Sequence, residues 1–169
     1  KSKKTILIRP EEEEAAYASK QSNVVNIIEK IINDFPNSKK LVLTRYKNQS
    51  DSFKKKFPEN VQIISKVVDG KKLLLSSDVF VGSGGTMTAE SALLGVPTIS
   101  YNAVPNRIED YLVTKKIIVR CMTPNSITKN IEKIFSFSKK SELKRKEKTN
   151  KFVNSLEDPY LILVKTIKS

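Results

Sequence analysis

Short apolar runs alternate with helix-period segments along the whole chain. Ile6-Leu7-Ile8 is an unbroken apolar run, which predicts a strand covered on both faces. Val24, Ile27, Ile28, Ile31, Ile32 and Phe35 then recur at i, i+3, i+4, i+7, i+8 and i+11, one face of a helix. Leu41-Val42-Leu43 predicts a second strand, 50–57 a short basic helix and 61–64 a third strand. A short helix is expected over 71–76. Asp78 to Gly82 reads as a fourth strand running straight into Ser83-Gly84-Gly85. The helix predicted over 86–94 is ended by Gly95, with Pro97 two residues on. Strands follow at 98–101 and 117–119. Thr123-Pro124 supplies an N-cap and first helical residue for a helix carrying Ile127, Ile131, Ile134 and Phe135. A basic helical stretch comes next, then an apolar one from Pro159 to Ile167.

This alternation predicts an α/β fold: a Rossmann-like, doubly wound parallel sheet of about six strands. Ligands of such sheets bind beyond the carboxyl ends of the strands, where the strand order reverses. Candidate chemistry is therefore sought after Arg9, Arg45, Gly82 and Tyr101.

Composition narrows the field. The chain has 169 residues, 38% of them hydrophobic, enough for a core without staples. Its single cysteine, Cys121, excludes an internal disulfide framework and reads as a small buried residue. With no histidine, a zinc site and Ser-His or Cys-His nucleophilic engines are also excluded. No metal is expected. No apolar run reaches the roughly 18 residues of a membrane helix, and no secretory apolar region opens the chain. A cytoplasmic location is expected.

Thirty-one Lys+Arg against 18 Asp+Glu give a net charge of +13. Either a lysine-rich soluble surface or a polyanionic partner accounts for it. Arginine is scarce, and the densest basic run, Lys139 to Lys151, holds no aromatic residue. Nucleic-acid readers interleave arginine with aromatics, so nucleic acid is not the expected partner.

Ser83-Gly84-Gly85-Thr86-Met87-Thr88-Ala89-Glu90 concentrates the candidate chemistry. Three of the five glycines fall within Gly82 to Gly85, between a predicted strand and a predicted helix. Glycines there let backbone N–H groups approach an anion, and the helix start adds its positive dipole. Neither the P-loop nor the GxGxxG spacing is present. Glu90 stands one turn in and can accept the two hydroxyls of a ribose, or be an ordinary exposed helix glutamate. Arg9, fixed by Pro10 at the end of the first strand, suits a diphosphate or an ion pair with Glu11 to Glu14. That acidic run itself reads as a solvated helix start. Arg45, ending the second strand, has the same two readings. Asp69-Gly70 marks a turn, and Val67 and Val68 before it could offer backbone groups to a base.

Arg9-Pro10, Arg45-Tyr46 with Gln49, Val68-Asp69-Gly70, Gly84-Gly85-Thr86-Met87, Glu90 and the stretch Ala92 to Pro97 together resemble a known pattern. It is that of the C-terminal half of a largely archaeal family of unknown function grouped with GT-B-fold proteins. The resemblance covers about residues 5–135. Ala89 stands where the pattern usually has a basic residue. More widely, the chain is similar to UDP-N-acetylglucosamine 2-epimerase and to the glycosyltransferase that makes lipid II. The step from Ser83 to Glu90 matches the transferase spacing better.

This resemblance implies the donor-binding half of a GT-B-like glycosyltransferase or sugar-nucleotide epimerase. Ser83, Gly84, Gly85, Thr86 and Met87 would contact the diphosphate, Glu90 the ribose, and the loop at Val68 the base. Arg9 would stabilise the departing diphosphate, with Arg45 as a second basic contact. The implied ligand is a nucleotide-sugar, UDP-linked by expectation, with no other cofactor. Residues 1–155 would form the nucleotide-sugar-binding domain. Residues 156–169 would form a closing helix packing toward an N-terminal domain that this chain lacks, and the start at Lys1 fits a piece of a longer protein. The competing expectations are a nucleic-acid or polyanion-binding module and a non-catalytic GT-B-like sensor domain.

Overall fold

The structure is a computed structural model that describes residues 3–11, 24–101, 106–158, 163, 164, 166 and 167. Six strands form one sheet: β1 (Thr5–Arg9), β2 (Lys39–Leu43), β3 (Gln62–Ile64), β4 (Val79–Gly82), β5 (Thr98–Ser100) and β6 (Ile118–Arg120). All pairings are parallel and the order is β3-β2-β1-β4-β5-β6. The order reverses between β1 and β4, so the predicted doubly wound sheet is present.

Helices α1 (Val24–Asp34), α2 (Lys47–Lys56), α3 (Gly70–Leu75), α4 (Gly85–Leu93), α5 (Arg107–Thr114), α6 (Pro124–Phe135) and α7 (Lys139–Asn154) accompany the sheet, and residues 163, 164, 166 and 167 are also helical. Strand periodicity assigns them to faces. Ile6 and Ile8 point to one side, where Val24, Ile27, Ile28 and Ile31 of α1, Phe53 of α2, and Ile127 and Ile131 of α6 cover them. Leu7 points to the other, with Leu74 of α3, Phe80, Val96 and Met87. Ala92 of α4, Leu112 of α5, Ile118 and Phe152 of α7 extend that second layer. Both faces are covered, which is why the central strands read as continuous apolar runs.

The expected caps hold locally. Thr123 accepts from the Ser126 N–H while the Ser126 hydroxyl accepts from the Thr123 N–H, a capping box with Pro124 at the first helical position. Gly95 follows α4 with φ +74°, as a helix-ending glycine does. One helix was not expected. α5 fills the gap between the fifth and sixth strands, and its signal is present in the sequence. Asn106 caps the Glu109 N–H at 2.8 Å, the spacing of an N-cap followed three residues on by glutamate. The basic helix after β2 starts at Lys47 rather than Ser50. Of the acidic run, Glu12 to Glu14 lie outside the described residues, as do 159–162 and 165 of the apolar C-terminal stretch. Leu163 and Ile167 of that stretch are exposed.

Cys121 is buried, as expected. Burial pushes its thiol pKa up, against the hydrogen bonds with Ser126 and Asn130. No helix among the described residues is long and apolar enough to cross a membrane.

Candidate functional site

Because all six strands are parallel, their carboxyl ends share one edge. β1 feeds its connection toward β2, and β4 feeds its own toward β5. In sheets of this kind the connections leaving the two central strands part in opposite directions, and ligands bind in the crevice between them. Register places Arg9 opposite Gly82, and Gly82 opposite Ser100. Arg9 and the glycine turn were predicted separately and meet at this switch point.

The β4–α4 turn is built by its glycines. Gly84 has φ 90° and ψ −163°, a region essentially restricted to glycine, and Gly85 has φ 77°. Gly82 serves a different purpose. A Cβ there would lie 2.5 Å from Phe80 Cε1 and 2.7 Å from Thr88 Oγ1, so only glycine lets α4 approach β4 this closely. The Thr88 hydroxyl donates to the Gly84 carbonyl at 2.7 Å and ties the first turn of α4 to the loop. No side chain caps α4. Its first-turn N–H groups, which have no intrahelical acceptor, therefore border the crevice beside the dipole's positive end. Ser83 is half-buried, and Gly85 and Thr86 are exposed. Met87 packs its side chain into the second core cluster, so its contribution to an anion would come from the backbone. Glu90 is exposed on the same helix.

The two arginines lie on the other side of the switch. Arg9 is half-buried, and its Nη1 donates to the Leu43 carbonyl at 3.0 Å, which leans the guanidinium across the end of β2. Burial and then the positive charge of Arg45 lower its pKa from the ordinary arginine value. Arg45 is exposed, with its guanidinium 5.8 Å from the Tyr46 ring centre. Val68 is 42% exposed in the β3–α3 loop, next to Asp69, which caps α3 by accepting from the Lys72 N–H. The strand order thus lines up Val68, Arg45, Arg9 and the glycine turn along one edge. At one strand spacing per step the row is about 14 Å long.

Three buried polar groups belong to this edge: Tyr101, which the sequence marked only as a strand end, Gln49, which entered only with the resemblance, and Glu109, which the sequence reading missed. Tyr101 is 1% exposed, with its hydroxyl 3.5 Å from the Arg9 carbonyl, and burial raises its phenol pKa well above the usual value. Gln49 is buried at the start of α2 and touches the exits of both β1 and β2. Glu109 is buried between β5 and β6, accepting from the Ser100 hydroxyl at 2.8 Å and Arg120 Nε at 3.0 Å. Arg120 also bonds Asp110 at 2.7 Å, and that bond is the largest cause of its raised pKa. Burial of a glutamine depends on neighbours distant in sequence, so no local signal marked Gln49. The Asn106–Glu109 spacing did mark α5. A cleft of about 470 Å³ sits at the opposite, amino edge, lined by Asp78, Pro97 and Arg145 among others. It lies away from the switch point, and its Lys4–Asp78 pair at 2.8 Å is a strand-end tie.

Comparison with known proteins places this architecture. The chain is similar to UDP-GlcNAc 2-epimerase from Neisseria meningitidis, whose structure was determined bound to UDP-GlcNAc. The TM-score is 0.64 at 15% identity, covering 99% of this chain and 44% of that one. It is also similar to the spinosyn rhamnosyltransferase SpnG, determined with spinosyn aglycone. There the TM-score is 0.69 at 14% identity, covering 100% of this chain and 46% of that one. At such identity these likenesses establish a GT-B-like fold. In sequence, 101 residues are 33% identical to the uncharacterised protein MJ0665 of Methanocaldococcus jannaschii, covering 59% of this chain and 26% of that protein. The chain thus matches less than half the length of each of these three proteins. The family described as "Protein of unknown function (DUF354)" matches residues 1–169, and the chain belongs to that family.

Proposed function

We propose that this chain is the donor-binding half of a GT-B-like enzyme that acts on a nucleotide-sugar. The observation that carries this reading is the meeting of Arg9 with the uncapped, glycine-built start of α4 at the switch point of the sheet. Backbone N–H groups at a helix start and a fixed guanidinium are the donors that neutralise a diphosphate, both bound and departing. In this reading Ser83, Gly84, Gly85, Thr86 and Met87 hold the diphosphate and Arg45 adds a second cation. Glu90 accepts the ribose hydroxyls, and the backbone at Val68 meets the base. Leaving-group charge is met by these groups and needs no metal. Glycosyl transfer and epimerisation would share this half and differ in a second domain carrying the acceptor and the base. The partial coverage of the relatives supports such a second domain. A uridine nucleotide is the first choice of ligand, since the Neisseria relative is described with UDP-GlcNAc.

The test is calorimetric and thermal-shift titration with UDP, GDP, CDP, ADP and their sugar conjugates at two salt concentrations. We expect selective stabilisation by one diphosphate. Glu90→Ala should weaken that binding by about 1–3 kcal/mol, because paired hydroxyls lose their acceptor. Unchanged affinity in the variant removes the ribose role.

A second reading has its own observation. Lys139, Lys140, Lys144, Lys146 and Lys151 of α7 are all exposed, which suits a polyanion. Binding of that kind falls steeply with salt and requires those lysines. Nucleotide binding at the switch point is expected to survive their replacement.

A further inference from the structure

We propose that Gln49 is a positioning residue that joins the exits of β1 and β2 into one unit, so that Arg9 and Arg45 meet a diphosphate together. The proposal rests on the nucleotide-sugar reading above and adds a residue to it. Gln49 lies in the first turn of α2 and is 4% exposed. Its Nε2 donates to the Glu11 carbonyl at 3.1 Å, two residues beyond Arg9. Its Oε1 accepts from the Arg45 N–H at 3.4 Å. One buried amide thus bonds the backbone just after Arg9 and the backbone of Arg45 itself. A third contact, Arg9 Nη1 to the Leu43 carbonyl, crosses between the same two exits. From the far side the Tyr101 hydroxyl approaches the Arg9 carbonyl.

The glutamine side-chain amide offers a neutral donor and acceptor on one planar group at every ordinary pH. An ionised glutamate keeps the acceptor and loses the donor, and leucine loses both. The arrangement has a purpose when its charges are considered. Two guanidiniums held near each other repel, and the Arg45 charge is felt at Arg9. A polyvalent anion between them relieves that repulsion, whereas a neutral nucleoside does not. Gln49 is therefore expected to matter in proportion to the number of phosphates on the ligand.

The experiment compares the wild-type chain with Gln49→Leu and Gln49→Glu, titrated with uridine, UMP and UDP. Thermal melts check that each variant folds. The expected result is a fall of about tenfold in UDP affinity for Gln49→Leu, the scale of a lost buried hydrogen bond. The fall should be smaller for UMP and absent for uridine, with Gln49→Glu intermediate. Equal loss for uridine and UDP overturns the proposal, because general loosening of the fold would produce it. Wild type that binds UDP alongside variants that bind it equally well overturns this proposal alone. Wild type that binds none of the three ligands overturns the nucleotide reading, and this proposal with it. If the variants fail to fold, hydrogen exchange on the wild type decides. Residues 9–11 and 44–49 should gain protection together on adding UDP, and protection of one segment without the other overturns the proposal.

Discussion

The helices whose starts along the carboxyl edge are described fall into two groups. α3, α5 and α6 begin under Asp69, Asn106 and Thr123, each of which accepts a backbone N–H of its own first turn. α2 and α4 begin at Tyr46 and Gly84, with no side-chain cap. The sheet order gives the division its meaning, since α2 follows β2, α4 follows β4, and β1 with Arg9 runs between them. Helix starts away from the crevice satisfy their own polar groups, as a stable fold requires. Beside it, the start of α4 has no side-chain cap, while in α2 the Gln49 N–H donates to Asn48 Oδ1 at 2.8 Å. In the nucleotide-sugar reading proposed above, the uncapped start of α4 beside Arg9 is what would supply donors to the anion.

The comparison can be broken most forcefully at Gly84. An alanine there must adopt a backbone conformation essentially reserved for glycine, so Gly84→Ala should cost about 1–3 kcal/mol of unfolding free energy. Urea unfolding measures that loss. UDP affinity should fall as well, because relaxation of the turn redirects the N–H groups of α4. A variant of full stability and full affinity would show that the turn's geometry is incidental.

Thr123→Ala tests the other group of helix starts. Loss of the cap should cost about 1 kcal/mol of stability, read from the same urea curves, with UDP affinity unchanged. If nucleotide binding fell in step, the division into structural and binding helix starts would be wrong.

The smallest effect is expected at Tyr101. Near neutral pH, Tyr101→Phe removes one long hydrogen bond and should cost under about 1 kcal/mol. Its signature is alkaline. Burial holds the phenol well above its ordinary value of 10.0, so the folded state favours the protonated form. That contribution is complete below the unfolded value and is lost as pH rises beyond it, because the unfolded chain then releases a proton that the folded one retains. Unfolding curves taken at rising pH should show the wild type losing this part of its stability above about pH 10 and the Phe variant lacking that loss. Parallel pH profiles would remove the buried phenol from the account of how the Arg9 exit is held.

Much of the architecture was legible because it rests on local pattern. Ile6-Leu7-Ile8 and Val79-Phe80-Val81 are apolar without interruption, and strands covered on both faces must be so. α1 showed its face through the spacing of Val24, Ile27, Ile28 and Ile31. α6 announced its start through Thr123-Pro124. The glycine turn was equally visible, since three glycines between a strand and a helix have few other uses. α5 went unread although Asn106 and Glu109 have capping spacing and Ile108, Tyr111 and Leu112 fall at i, i+3 and i+4, because the helix is only 8 residues long and Ile108 and Tyr111 are left exposed rather than buried as a core stripe. Gln49 was noticed only as part of a resemblance, because its role depends on Glu11, 38 residues away.

The sequence by itself determined the strand and helix alternation, the lack of any histidine, and the position of the glycine turn between β4 and α4. These follow from residue types and their spacing. Tertiary structure alone decided that Arg9 lies opposite Gly82, that Arg45 bears on Arg9, and that Gln49 and Tyr101 grip the backbone between them. Strand order brings these residues together, and strand order is set by how helices cover the two faces of the sheet. The chain as a whole buries its apolar surface, so that arrangement is a global solution that no single segment encodes.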